Sequence, residues 1–140
     1  MKRNKMINKS CIFIDHDPYN QAVFTRALGD VSPETICLTA SSAEDAIYML
    51  TKENVMPSYI FVEQDMPDMS GIDFLKTIKQ FHALKDIPVI VHSLSPPANK
   101  IIEMKESGAL AIYYRPYEYW SVCNMLTLYF GSQMATIQPN

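Results

Sequence analysis

Glycine is scarce, with four residues in 140. A chain so poor in glycine has little from which to build the glycine- and hydroxyl-rich loop that cradles phosphate in flavin-binding electron carriers. The turn after its first apolar run, Asp15-His16-Asp17-Pro18, would repel phosphate besides. Cysteine is nearly as rare. Cys11, Cys37 and Cys123 are an odd number without metal-ligand spacing, each in an apolar stretch, which reads as buried, reduced thiols and a cytoplasmic protein. Charged residues are only 19% of the chain, and the net charge of −3 conceals an asymmetry. Lys2, Arg3, Lys5 and Lys9 hold four of the twelve basic residues, so residues 10–140 carry 8 basic against 15 acidic groups, a balance of −7. That body lacks the cationic field that phosphate backbones require, which excludes nucleic acid as a partner. Long hydrophobic runs are missing too. Cys11-Ile12-Phe13-Ile14 stops at Asp15, too short for a signal peptide core or a membrane span.

What is present is a core. At 48% apolar, 140 residues suffice for one domain and are too few for two. Residues 1–9 read as a basic lead-in, 10–131 as the domain and 132–140 as a C-terminal tail. Short apolar runs alternate with segments of helical period. The runs are Cys11–Ile14, Thr35–Thr39, Tyr59–Val62, Pro88–Val91 and Ala109–Tyr114. Asp17-Pro18 gives a helix cap followed by proline at the first helical position, and Gly29 is expected to end that helix. Ser42 with Asp45 caps the next helix. Ser95-Pro96-Pro97 opens a later helix that Gly108 closes, and a last helix follows Pro116. Five βα units argue for an α/β fold, a doubly wound five-stranded parallel sheet covered by helices on both faces.

In such a sheet ligands bind beyond the carboxyl ends of the strands. Those ends are Asp15-His16-Asp17, Glu63-Gln64-Asp65, His92-Ser93 and Arg115-Pro116, so acids, a hydroxyl and a cation converge on one edge. Over roughly residues 10–130 the chain resembles the receiver domain of two-component response regulators, of the chemotaxis-regulator type. Ile14-Asp15-His16-Asp17-Pro18 resembles the acidic cluster that ends the family's first strand. Val62-Glu63-Gln64-Asp65-Met66-Pro67-Asp68-Met69-Ser70-Gly71 matches its phosphoacceptor loop. Pro88–Ser93 is similar to its fourth strand with the switch hydroxyl, and Gly108–Tyr117 to its fifth, which ends in a basic residue, proline and an aromatic. The resemblance implies a flavodoxin-like (βα)5 sheet of strand order 2-1-3-4-5 and a cis Arg115-Pro116 peptide. It also implies a Mg²⁺ ion held by an acidic pair, the acceptor carboxylate and a backbone carbonyl at Asp65, and a phosphoryl group steadied by Ser93 and a basic residue.

The departures concern that chemistry. Glu63 stands where the acceptor aspartate belongs, His16 where the second acid of the pair belongs, and Arg115 where the lysine belongs; Asp15 and Ser93 keep the family's types. The longer carboxylate moves the acceptor atom by about one C–C bond, roughly 1.5 Å, and a misplacement of about 1 Å costs on the order of 10²-fold in an in-line displacement. Imidazole is a poor substitute for oxygen on Mg²⁺. Arginine spreads its charge over a fork suited to gripping a carboxylate. These changes predict a weak or absent Mg²⁺ site and a phosphorylation-independent module, with Glu63 a standing negative charge that reaches Arg115 or faces His16.

Asp17 is read as a cap, Asp65 as solvated and His92 as packed or pointing to water. Tyr113, Tyr117, Tyr119 and Trp120, with Tyr114, crowd the fifth strand and the last helix, and aromatic clusters favour interfaces. In the family, helix four, strand five and helix five carry such contacts, so a homodimer is one expectation there. The other partners implied are a sensor histidine kinase or a downstream signalling protein. The chain is expected to be a stand-alone receiver without an output domain or a membrane association. Two alternatives remain: a working phosphorelay receiver phosphorylated at Asp65, and a haloacid-dehalogenase-like phosphatase using Asp15, which lacks a late acidic pair after the fourth strand.

Overall fold

The architecture follows from which residues alternate and which do not. The computed structural model describes residues 9–114 and 116–131; Arg115, the lead-in up to residue 8 and the tail from 132 lie outside the described residues. Ten elements follow in strict alternation: β1 (Ser10–Ile14), α1 (Pro18–Val31), β2 (Ile36–Ala40), α2 (Ala43–Thr51), β3 (Tyr59–Glu63), α3 (Gly71–Lys79), β4 (Val89–His92), α4 (Ala98–Glu106), β5 (Ala111–Tyr113) and α5 (Tyr119–Phe130). All pairings are parallel, in the order β2-β1-β3-β4-β5. This is the flavodoxin-like sheet expected from the sequence.

Strands β1, β3 and β4 lie inside the sheet and are covered on both faces, which is why they are continuous apolar runs. Their side chains divide by parity. Ile12, Ile14, Ile60, Val62, Val89 and Val91 pack into the layer with the α2 and α3 side chains Ala46, Leu50, Phe74 and Ile78. Cys11, Phe13, Phe61, Ile90 and Tyr113 pack into the opposite layer with Phe24, Leu28, Val122 and Leu126 of α1 and α5.

The caps are largely those the sequence predicts. Asp17 accepts from the Tyr19 amide at 2.9 Å, and Ser42 from the Asp45 amide at 3.0 Å. Gly108, at φ +105°, ends α4 with its amide on Lys105 and the Ala109 amide on Met104, a left-handed cap that spares the last carbonyls. Residues 108 and 109 are used in that turn, so β5 starts later than the run 109–114. Gly29, by contrast, does not end α1. The helix continues to Val31, whose side chain is buried, and Ser32 caps it on the Leu28 carbonyl at 2.8 Å. No described helix is long and apolar enough to cross a membrane.

Candidate functional site

Strand register brings the site together. Ile14 pairs with Val62, Glu63 with His92, and His92 with Tyr113. Asp15 extends β1 by one residue, its amide bonded to the Ala40 carbonyl at 3.0 Å. Asp15, Glu63, His92 and Tyr113 therefore form a row across the carboxyl end of the sheet. By parity their side chains belong to the face of Phe13, Phe61 and Ile90. All four are buried, Asp15 completely.

Two features of the following loops hold the row. Gly71 begins α3 against the end of β3: a Cβ there would meet the Glu63 carbonyl oxygen at 2.8 Å, so only glycine permits this approach. The Gly71 and Ile72 amides bond to Gln64, its carbonyl at 2.9 Å and its Oε1 at 3.0 Å. Asp68 then accepts from the Ala43 and Glu44 amides, pinning the loop to the start of α2.

Asp15 is the hub. Its Oδ1 accepts from the Asp17 amide at 2.8 Å, and its Oδ2 from Asn20 Nδ2 and His92 Nε2, each at 3.0 Å. Gln21 Nε2 donates to the Asp15 carbonyl at 2.6 Å. Burial by itself pushes the Asp15 carboxyl up. The bonds from His92, from the Glu63 carboxyl and from the Asp17 amide outweigh it and hold the group at about 2. His92 is enclosed, its ring stacked on Phe13 at 5.1 Å and met edge-on by Tyr117 at 4.9 Å. Burial lowers its pKa and Asp15 only partly restores it. The ring is therefore neutral, with its one proton on the Nε2 that faces Asp15.

Glu63 completes the arrangement. His16 Nδ1 lies 2.6 Å from Glu63 Oε2 and 2.9 Å from Oε1. Burial, then the hydrogen bond and charge of Asp15, push the Glu63 carboxyl up to about 9; the His16 amide opposes this and Asp65 adds to it. Burial and the neighbouring Asp15 thus favour the protonated form of Glu63. The direction of that shift runs against the sequence expectation of Glu63 as a standing negative charge, because two neighbouring buried carboxylates do not both ionise readily.

The site opens into a cleft of about 400 Å³ that Asp65, Ser93 and Tyr117 also line. Asp65 is exposed, as the sequence suggests, and Ser93 is buried. Arg115 and its peptide bond to Pro116 are outside the described residues. Of the aromatic cluster, Tyr113 is buried at the end of the row, and the part-buried Tyr117 packs its ring on His92 and Phe13. Tyr119 donates its hydroxyl to Asp30 on α1, and its ring lies 5.2 Å from the Arg26 guanidinium. Trp120 remains exposed. His92, read from sequence as packed or solvent-facing, is the residue that was underestimated. Its parity with Glu63 at the end of an adjacent strand was the available signal.

A model of the response regulator receiver domain matches residues 11–125. The chain belongs to that family. The rice (Oryza sativa subsp. indica) two-component response regulator ORR3 is 28% identical over 118 residues, covering 82% of this chain and 88% of ORR3. Rice ORR7 is 32% identical over 102 residues, covering 66% of this chain and 48% of ORR7; the chain thus spans about half the length of some curated relatives it matches. The Mn²⁺-bound form of response regulator Rcp1 superposes with a TM-score of 0.81 over 94% of this chain and 99% of that one, at 18% identity. Receiver domains serve two-component signalling, are generally not enzymes, and interact with histidine kinases or downstream signalling proteins.

The Mg²⁺ that the resemblance implies does not fit this receiver domain. Asp15, His16 and Glu63 offer ligand atoms within 4.8 Å of one another, but one is a nitrogen and Mg²⁺ demands an octahedron of oxygens. Glu63, moreover, is already engaged by His16 and by Asp15.

Proposed function

We propose that residues 10–131 form a receiver domain that signals by binding another protein and takes no phosphate at Glu63. The observation that carries this reading is the 2.6 Å contact between His16 Nδ1 and Glu63 Oε2. It occupies the carboxyl at the acceptor position, and the Asp15 hydrogen bond on the same group leaves it a poor nucleophile in its protonated form. Ser93 and Arg115, the positions of the switch hydroxyl and the basic partner, then have no phosphoryl group to follow. The domain stays in one signalling state, and its partner, a sensor histidine kinase or a downstream signalling protein, reads that state. Ile102 on α4, Leu110 before β5 and Trp120 and Leu128 on α5 are exposed apolar side chains along the α4–β5–α5 stretch. They support this surface as the one a partner, or a second copy of the chain, covers.

The test is intact mass after incubation with Mg²⁺ and a small-molecule phosphodonor. The expected result is no adduct on the wild type and an adduct on the double variant His16→Asp with Glu63→Asp. A stoichiometric wild-type adduct at Asp65 would establish the alternative, a working phosphorelay receiver. An adduct at Asp15 would revive a phosphatase-like reading, against which stands the complete burial of that carboxylate.

A further inference from the structure

The same three side chains that reject Mg²⁺ form a donor set of another kind. We infer that Asp15, His16 and Glu63 bind a late first-row transition ion of the Zn²⁺ class, the imidazole having changed the metal preference of the site rather than merely abolished it. This rests on the reading above that the site does not take Mg²⁺.

Three observations carry it. The first is the donor set itself: two carboxylate oxygens and one imidazole nitrogen, with ligand atoms within 4.8 Å of one another. Zn²⁺ takes both kinds of donor at about 2.0–2.2 Å in a tetrahedron, so its ligand atoms sit about 3.4 Å apart and the side chains reach it by shifts of about 1 Å. Nitrogen in a carboxylate site favours the later metals over Mg²⁺. His16 Nδ1 and Glu63 Oε2, now 2.6 Å apart, would give up their hydrogen bond and separate to about 3.4 Å on the ion.

The second is the support behind the ligands. Asp15 is fixed by Asp17, Asn20 and His92, and a hydrogen-bonded outer shell of this sort is what orients metal-bound carboxylates. His16 is half exposed on the opposite side, its side chain at 51%, which leaves an entry path and an open coordination position.

The third is independent of the cluster. His92 Nδ1 and the Tyr117 hydroxyl are both buried without a hydrogen-bond partner among the described residues, and both side chains line the same cleft. Unpaired buried polar atoms of this kind call for a partner such as an ordered water in that cleft.

The experiment is calorimetric titration of the full chain with Zn²⁺ and, separately, with Mg²⁺, together with visible ligand-field spectra on titration with Co²⁺. One Zn²⁺ per chain is expected, bound more tightly than Mg²⁺, with affinity falling at least about tenfold in His16→Ala and in His16→Gln. The Co²⁺ bands should disappear in the same variants, and Zn²⁺ should shift the His16 ring nitrogens in NMR spectra of the wild type. Far-ultraviolet circular dichroism of each variant, matched to the wild type, excludes loss of fold as the cause. Zn²⁺ affinity unchanged by both His16 substitutions would overturn the inference, as would no Zn²⁺ binding by the wild type. Wild type that binds neither ion leaves the reading of a phosphate-independent receiver standing. Wild type that binds Mg²⁺ and accepts phosphate sinks that reading instead.

Discussion

Asp15 and His92 are 77 residues apart in sequence and on strands that do not touch, yet their side chains meet at 3.0 Å across the top of β3. Glu63 ends the strand beneath that bridge. The bond is the reason a fully buried carboxylate is tolerated there, because the carboxylate receives donors on both oxygens.

His92→Phe keeps the ring stacked on Phe13 and removes only the N–H. We expect it to destabilise the domain by about 2–3 kcal/mol, the range for a hydrogen bond to a buried charged group. His92→Gln, which retains an N–H, should cost less. Urea unfolding at neutral pH measures both, and a change below about 0.5 kcal/mol in His92→Phe would show that Asp17 and Asn20 suffice for Asp15.

Glu63 gives the pH dependence a sign. Its folded-state pKa is raised, from an ordinary 4.5 to about 9, so the folded protein holds this proton more tightly than the unfolded chain. Its contribution to stability is fully present below about pH 4.5 and is lost as pH rises towards 9. Glu63→Gln carries no such proton. The stability of Glu63→Gln relative to wild type should therefore increase steadily between pH 5 and pH 9. The measurement is urea midpoints across that range in the presence of a chelator. A constant difference would place the proton elsewhere. Asp15 acts in the opposite direction and lower: its depressed pKa means stability lost as pH falls from about 3.8 towards 2.

The strands, their parity and the residues at their ends were legible in the sequence, because buried parallel strands are continuous apolar runs and each run stops at a polar residue. So were the caps at Asp17, Ser42 and Gly108, which depend on local chemistry alone. The upward shift of Glu63 was not legible: it comes from burial and from Asp15, 48 positions away and brought alongside only by register. Nor was the inward turn of Tyr117, since no period governs a loop residue. Gly29 failed as a stop signal because a helix ends where its buried face ends, and Val31 extends that face.

The two glycines Gly29 and Gly71 should respond oppositely to the same substitution. Gly29 lies within α1 with nothing within 4 Å of an added Cβ. Gly29→Ala should stabilise by about 0.5–1 kcal/mol, through helix propensity alone. Gly71→Ala drives its methyl against the Glu63 carbonyl oxygen at 2.8 Å and Gln64 Cα at 3.0 Å. Backbone cannot rotate away as a side chain can, so a loss of roughly 1–3 kcal/mol is expected. Thermal unfolding of the two variants decides it. Equal effects of one sign would mean that the end of β3 shifts freely, and with it the carboxyl that the proposed function depends on.

The last prediction concerns the surface. Leu110 and Leu128 are 57% and 78% exposed, so Leu110→Glu and Leu128→Glu should each leave folding stability within about 0.5 kcal/mol of wild type. If copies of the chain associate through α4, β5 and α5, the same substitutions place like charges in both halves of a two-fold contact, since each patch then meets its own copy. Association should weaken in both variants together. Sedimentation equilibrium over a range of concentrations separates the cases. A wild-type dimer that both glutamates dissolve fixes the interface on this face. A dimer untouched by either puts the contact on another face, and a wild-type monomer overturns self-association through these leucines.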